Sequence, residues 1–144
     1  QRIEDVLKAN LFYLEECDSP ALVEYDCHEG NIFVKEGENG YEIEGIVDFE
    51  RAFWGDPMAD FPAAFVFADD IRKEKEFLEA YLKASGRAAY TKADAKRFLL
   101  YRMYICVIMA SETFRYGFVY ARMQGAWAKA QIEKCLKGLE RGDT

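Results

Sequence analysis

The chain is poor in the residues that build metal centres and in excess positive charge. It holds a single histidine, His28, and four cysteines, Cys17, Cys27, Cys106 and Cys135. No two cysteines form a C-x-x-C pair, and Cys17, Cys27 and His28 have no fourth ligand at a recognisable spacing, which argues against a zinc site. Lys and Arg number 19 against 26 Asp and Glu, for a net charge of −7. That balance lacks the basic footprint of a nucleic-acid binder. The most apolar run, MYICVIMA at 103–110, is too short to span a bilayer and is abutted by Arg102, so no membrane association is expected. Residues 1–16 are charged and amphipathic throughout, unlike a signal peptide. With no disulfide pattern, a reducing, cytoplasmic compartment is expected. There is no internal repeat and no low-complexity segment.

What is present suits one packed domain over 1–144. About half the residues are hydrophobic and 15% are aromatic, enough for a single core. Ile3, Val6, Leu7, Leu11 and Leu14 recur at helical spacing and predict a helix over 2–16, ended by CDSP. ALVEY reads as a short strand, 26–31 as a polar loop, and 32–34 as a strand. KEGENG reads as a hairpin turn, 41–49 as the returning strand, and ERAFWGDP as irregular. Helices are then expected over 58–68, with Pro62 an obstacle, over 70–84, closed by Gly86, from a Thr91 N-cap to about 116, and over 118–139. The class is α+β, mainly α: a small β-hairpin with polar loops packed on a helical bundle. A chain that opens on Gln1 with helix already under way is expected to be a piece of something longer.

The chemistry gathers in EYDCHEGNIFV, residues 24–34. Asp26 follows the first strand, Asn31 precedes the second, and Asp48 ends the strand that returns from the hairpin. Pairing through the hairpin would bring residues 31 and 48 together, with Asp26 beside them. Asp and Asn oxygens at such a point suit Mg²⁺, which takes one or two carboxylates and completes its shell with water and phosphate oxygens. A further carboxylate beside the metal could orient an attacking hydroxyl. That layout is phosphoryl transfer, where protein groups position reactants and neutralise charge. The competing readings are a polar turn capped by Asx hydrogen bonds and a Cys27 nucleophile with His28 as base. Adjacent residues of an extended loop point apart, which disfavours the second.

DCHEGN, then an apolar strand, a hairpin and IVDF, resembles the catalytic and metal-binding loops of the protein-kinase-like fold. GDPMADF, Gly55 to Phe61, narrows the resemblance to the aminoglycoside phosphotransferase family and its choline-kinase-like relatives. The resemblance implies a fold, the C-terminal lobe of a kinase-like protein, and roles. Asp26 would contact the acceptor hydroxyl, and Asn31 and Asp48 would hold Mg²⁺. Asp60 would brace the catalytic loop from the start of a helix, with His28 as a further brace, while Asp56 would serve as a turn residue. Glu24 and Glu50 would be substrate contacts or supports. It implies ATP and Mg²⁺ as cofactors of the intact protein, neither held tightly by this chain, and a small hydroxylated acceptor, with a cationic one suiting the acidic balance.

Two departures stand out. The family commonly has His-Gly before the catalytic aspartate, where this chain has Glu24-Tyr25. The chain also lacks a G-x-G-x-x-G loop and room before residue 22 for the N-terminal ATP-binding lobe, which would be a missing partner. It is therefore expected to have little or no kinase activity alone, and a non-catalytic kinase-like binding module is the alternative reading.

Overall fold

The computed structural model describes residues 1–17 and 19–141. Asp18, within the segment expected to end the first helix, lies outside them. The helix expected over 2–16 is two pieces, α1 (Arg2–Asn10) and α2 (Phe12–Glu15). The break has a local cause. The Asn10 side chain donates to the Val6 carbonyl at 2.8 Å, competing with the backbone ladder, and Leu14 N–H reaches back only three residues, to Leu11.

β1 (Ala21–Val23) leads into the polar loop, which ends in a 3-10 turn over Glu29–Asn31. β2 (Ile32–Gly37) and β3 (Gly40–Ile46) form the hairpin, with Gly37 opposite Gly40 and a register slip at Phe33/Val34. The returning strand stops at Ile46 rather than 49. Asp48 takes a left-handed conformation (φ 70°, ψ 47°) and begins a 3-10 turn over Phe49–Arg51. The segment read as irregular contains a fourth strand, β4 (Phe53–Gly55), antiparallel to β1 with Val23 opposite Phe53. A three-residue strand flanked by turn signals carries no period of its own, so only its distant partner reveals it.

The helix expected over 58–68 is a correction. A 3-10 turn over Pro57–Ala59 runs into a single helical turn, α3 (Phe61–Ala64), and the chain leaves helical geometry at Phe65. Pro62 lies in the first turn, where its missing N–H is tolerated, so it fits this turn and is not what ends it. α4 (Lys75–Ser85) is closed by Gly86 at φ 69°, a conformation that favours glycine. α5 (Lys92–Ser111) ends before 116 in a 3-10 turn over Glu112–Arg115, and α6 (Phe118–Glu140) completes the chain.

The fold is thus mainly helical, with two small antiparallel sheets. α5 is its spine. On one side Leu100 and Met103 pack with Val6, Cys135, Leu136 and Leu139 of α1 and α6. On the other, Phe98 packs with Met58, Phe61 and Ile71, and α4 leans Phe77 and Tyr81 onto the Phe61 ring edge at 5.2 and 4.8 Å. The hairpin packs far less than expected: Phe33, Val34, Tyr41 and Ile43 are all more than half exposed. No described helix is long and apolar enough to cross a membrane.

Because α5 is enclosed on both sides, its Asp94, Lys96, Arg97 and Arg102 are buried too, and each makes at least one polar contact. Lys96 donates to the carbonyls of Gly138 and Arg141 at 2.7 Å, satisfying the end of α6. Thr91 and Asp94 form a reciprocal capping box. Asp94, fully buried, also takes Arg87 at 2.8 Å and Arg97, whose Nε lies 3.3 Å from Asp56. Burial alone would push the Asp94 carboxyl up, but the bonds from Arg87 and Thr91 outweigh it and hold the carboxyl below its usual range.

A depressed carboxyl lends stability above its unfolded pKa, about 3.9, and loses it as pH falls through the lower folded value. Asp94→Asn should therefore cost about 3 kcal/mol at pH 7, since it strands buried guanidinium charge. It should also flatten the loss of stability below about pH 4. Urea unfolding of both proteins between pH 2.5 and 7 reads this directly; parallel pH profiles would remove Asp94 from the account.

Candidate active site

The loop after β1 is held from a distance. β1 ends at Val23, so the N–H groups of Glu24 and Tyr25 have no strand partner. The Asp60 carboxylate accepts both, at 3.3 and 2.6 Å. Asp60 stands at the junction of the Pro57–Ala59 turn and α3, four residues after Asp56. Burial pushes its carboxyl up, partly offset by the two N–H donors. Asp56 does more than turn the chain. It accepts from Met58 N–H at 3.0 Å, capping the 3-10 turn, and faces Arg97 in the core.

Glu24 is buried, and one of its oxygens accepts from Asp26 N–H at 3.0 Å. The other is buried without a hydrogen-bond partner among the described residues. Burial pushes the Glu24 carboxyl up, the Asp26 N–H opposes this, and the charges of Asp60, Asp26 and Asp48 add to the rise. Several carboxylates thus gather around one desolvated acid.

Asn31 lies at the far end of the loop. Its amide nitrogen donates to the Asp26 carbonyl at 3.0 Å, while its own carbonyl accepts from Val47 N–H at 3.0 Å. The first bond closes the loop on itself. The second ties Asn31 to the residue before Asp48. With the nitrogen committed, the amide oxygen is the atom left to meet a cation.

His28 works within the loop. Its ring Nδ1 accepts from Gly30 N–H at 3.0 Å, its backbone N–H donates to Asp26, and its Nε2 lies 3.9 Å from an Asp26 oxygen. The ring passes so close to Gly30 that a Cβ there would stand 2.7 Å from Cε1, which excludes larger residues without a shift. Glu50 lies on the exposed turn after Asp48 and is not in the wall of the cavity beside Asp26. The Cys27 thiol is pushed up by burial and then by Glu24 and Asp60, the reverse of what a thiolate nucleophile needs. Among the described residues no three His, Cys, Asp or Glu side chains gather as a metal cage.

A cavity of about 940 Å³ opens beside the loop. Tyr25, Asp26 and His28 form one wall, and Ala63 to Ala68, Ile105 and Met109 form others. Arg102, buried in α5, steadies one of these walls through bonds to the Val66 carbonyl and to Gln131 of α6 at 3.3 and 3.0 Å. Nothing local in the sequence marks the 63–68 segment as a cavity wall. It becomes one because α3 stops early and the chain turns back across α5.

Tyr25 is the residue that sequence reasoning undervalued. Its φ of 72° lies in the left-handed region, costly for a bulky side chain by roughly 1–2 kcal/mol. Its hydroxyl is buried with no hydrogen-bond partner among the described residues. The signal was available: Tyr25 stands where the resembled pattern has glycine, the residue that conformation favours.

The model of the phosphotransferase enzyme family matches residues 15–95, more than half the chain. The chain belongs to this family. The matched phosphotransferase segment runs from α2 to the start of α5 and so contains the loop, the hairpin, Asp48 and the turn bearing Asp56 and Asp60. No curated protein and no solved structure matches the chain at significance.

An acid whose folded pKa is raised favours the protonated fold. Stability is then lost as pH climbs from the unfolded value, about 4.3 for glutamate, through the higher folded one. Glu24→Gln keeps an acceptor for Asp26 N–H and removes the charge. The variant should match wild type near pH 3.5 and gain stability relative to it as pH rises through the unfolded value, levelling off above the folded one, measured by urea unfolding. An advantage that did not grow with pH would mean that Glu24 carries no such penalty.

Proposed function

We propose that this chain is the C-terminal lobe of a kinase-like protein that transfers a phosphoryl group from ATP to a hydroxyl of a small molecule. The observation that carries the reading is Asp26: it lines the 940 Å³ cavity, and its loop is fixed by Asp60, Glu24 and Asn31. A carboxylate held on a braced loop at the edge of a cleft suits a group that must meet a substrate hydroxyl in one orientation.

The Asn31 amide oxygen and the Asp48 carboxylate, on segments joined through the Val47 hydrogen bond, fit the protein's share of a Mg²⁺ site. Mg²⁺ takes one or two carboxylates and fills its shell with water and phosphate oxygens, so these two side chains would be a sufficient protein share. Bound there, Mg²⁺ would neutralise phosphate charge. The chain's own residues do the rest. Asp26 accepts a hydrogen bond from the acceptor hydroxyl and aims its oxygen, and Asp60 holds the backbone from which Asp26 projects. The cleft wall sets how the acceptor lies.

The cleft carries the carboxylates of Asp26, Glu29, Glu74 and Glu112 against the guanidinium groups of Arg51 and Arg115, with Arg115 tied to Glu112 at 3.2 Å. A neutral or cationic hydroxylated acceptor suits that balance. The segment matched by the family contains no glycine-rich phosphate loop, so we expect residues 1–144 alone to have little or no turnover. The second reading, a binding module without chemistry, draws on Glu24-Tyr25, which replaces the His-Gly usual before the catalytic aspartate.

In a protein that joins this chain to an ATP-binding lobe, Asp26→Ala should lower kcat by at least about 10²-fold with the fold retained. Unchanged turnover would favour the binding module. Asp48→Ala should abolish the Mg²⁺-dependent part of nucleotide binding, read by titration calorimetry with and without the metal. Equal metal dependence in both proteins would remove Asp48 from the site.

A further inference from the structure

A second cavity, of about 670 Å³, lies behind the first. Its own lining is apolar: Leu7, Leu14, Phe53, Leu100 and Tyr104 among others. The two cavities share Tyr25, Arg51, Ile108 and Glu112, so these four residues form the wall between them. Tyr25 is the wall member with an unusual conformation. Its backbone holds a conformation suited to glycine, and its hydroxyl is buried without a hydrogen-bond partner among the described residues. Its ring is nonetheless fixed, against Phe53 at 5.6 Å and Tyr104 at 6.1 Å between centroids. A strained residue directly before Asp26, with its ring between two cavities, points to a role for that ring.

We propose that the Tyr25 ring is a partition that sets acceptor specificity. It separates the cleft beside Asp26 from the apolar chamber, so that the wild-type cleft takes small hydroxylated molecules without an extended apolar arm. With glycine at this position the two spaces would join into one site for an alcohol bearing an aryl or long alkyl arm. The hydroxyl would lie at the Asp26 end and the arm among Leu7, Leu14 and Leu100. The identity of the cleft as an acceptor site rests on the phosphotransfer reading above; the partition itself rests on the two cavities and the ring between them.

The test uses the 144-residue chain with 4-biphenylmethanol, a primary alcohol carrying a two-ring arm, at one-to-one stoichiometry. Intermolecular NOEs are read at the methyls of Ala63 and Ile105 for the cleft and of Leu7 and Leu100 for the chamber. In wild type and Tyr25→Phe, a bound molecule should touch one set and never both. In Tyr25→Gly and Tyr25→Ala, the same molecule should touch both sets, with affinity raised at least tenfold. The alanine variant removes the ring while leaving the backbone conformation strained, so the pair separates loss of the ring from relief of strain. The proposal is overturned if the two small-residue variants keep the wild-type pattern, failure to bind included, or if one molecule spans both sets in wild type. No phosphoryl group moves in this experiment, so its failure leaves the turnover of Asp26→Ala to decide the broader reading separately.

Discussion

The candidate site depends on one carboxylate accepting two backbone N–H groups. Asp60 takes the N–H of Glu24 and of Tyr25 where β1 has run out of strand partners. Unmet buried donors of this kind are costly, and no nearer group supplies the need. The bond crosses 35 residues of sequence, so the direction in which Asp26 leaves the loop is set by where α3 begins. Burial works against ionisation of Asp60, and the two N–H donors are what favour it. The brace and the charge that makes it effective are therefore the same interaction.

Behind Asp60 the support continues inward. Asp56, four residues earlier, faces Arg97, and Arg97 meets the Asp94 that caps α5. The GDPMAD segment thus has two acids with separate tasks, one turned to the core of ion pairs and one turned to the loop. The path from the N-terminus of α5 to the backbone of Tyr25 passes through paired charges, short turns and little flexible side chain. A site built on such a path is set by the helix bundle rather than by the loop's own preferences.

How much of this was legible in the sequence differs by element. The Thr91 cap, the Gly86 stop and the hairpin around Gly37 and Gly40 were readable because each is a local rule, complete within a few residues. α3 was misjudged because apolar residues at 58–68 suit a helix by composition, while the chain leaves helical geometry at Phe65 after a single turn. β4 was missed because Phe53–Gly55 is a strand only through β1, some thirty residues away. Asp26, Asn31, Asp48 and Asp60 were singled out through the order of motifs that carries the family resemblance. The bonds of Asp60 to the Glu24 and Tyr25 N–H groups and of Asn31 to the Asp26 carbonyl run to backbone groups, which the sequence does not show. The cavities were illegible altogether, since their walls come from four different helices and a loop.

The hairpin carries a colloidal consequence. Among the described residues β2 and β3 pair only with each other, so both outer edges lack a strand partner there, beside exposed Phe33, Val34, Tyr41 and Ile43. Open, apolar edges of this kind template strand addition between molecules. Lys35, Glu36, Glu42 and Glu44 interrupt the apolar positions, and their excess of negative charge makes two hairpins repel on approach. That protection is ionic: salt removes it by screening. The strand that holds Asp48's neighbours in place is therefore also the part of the molecule that depends most on solution conditions to stay single.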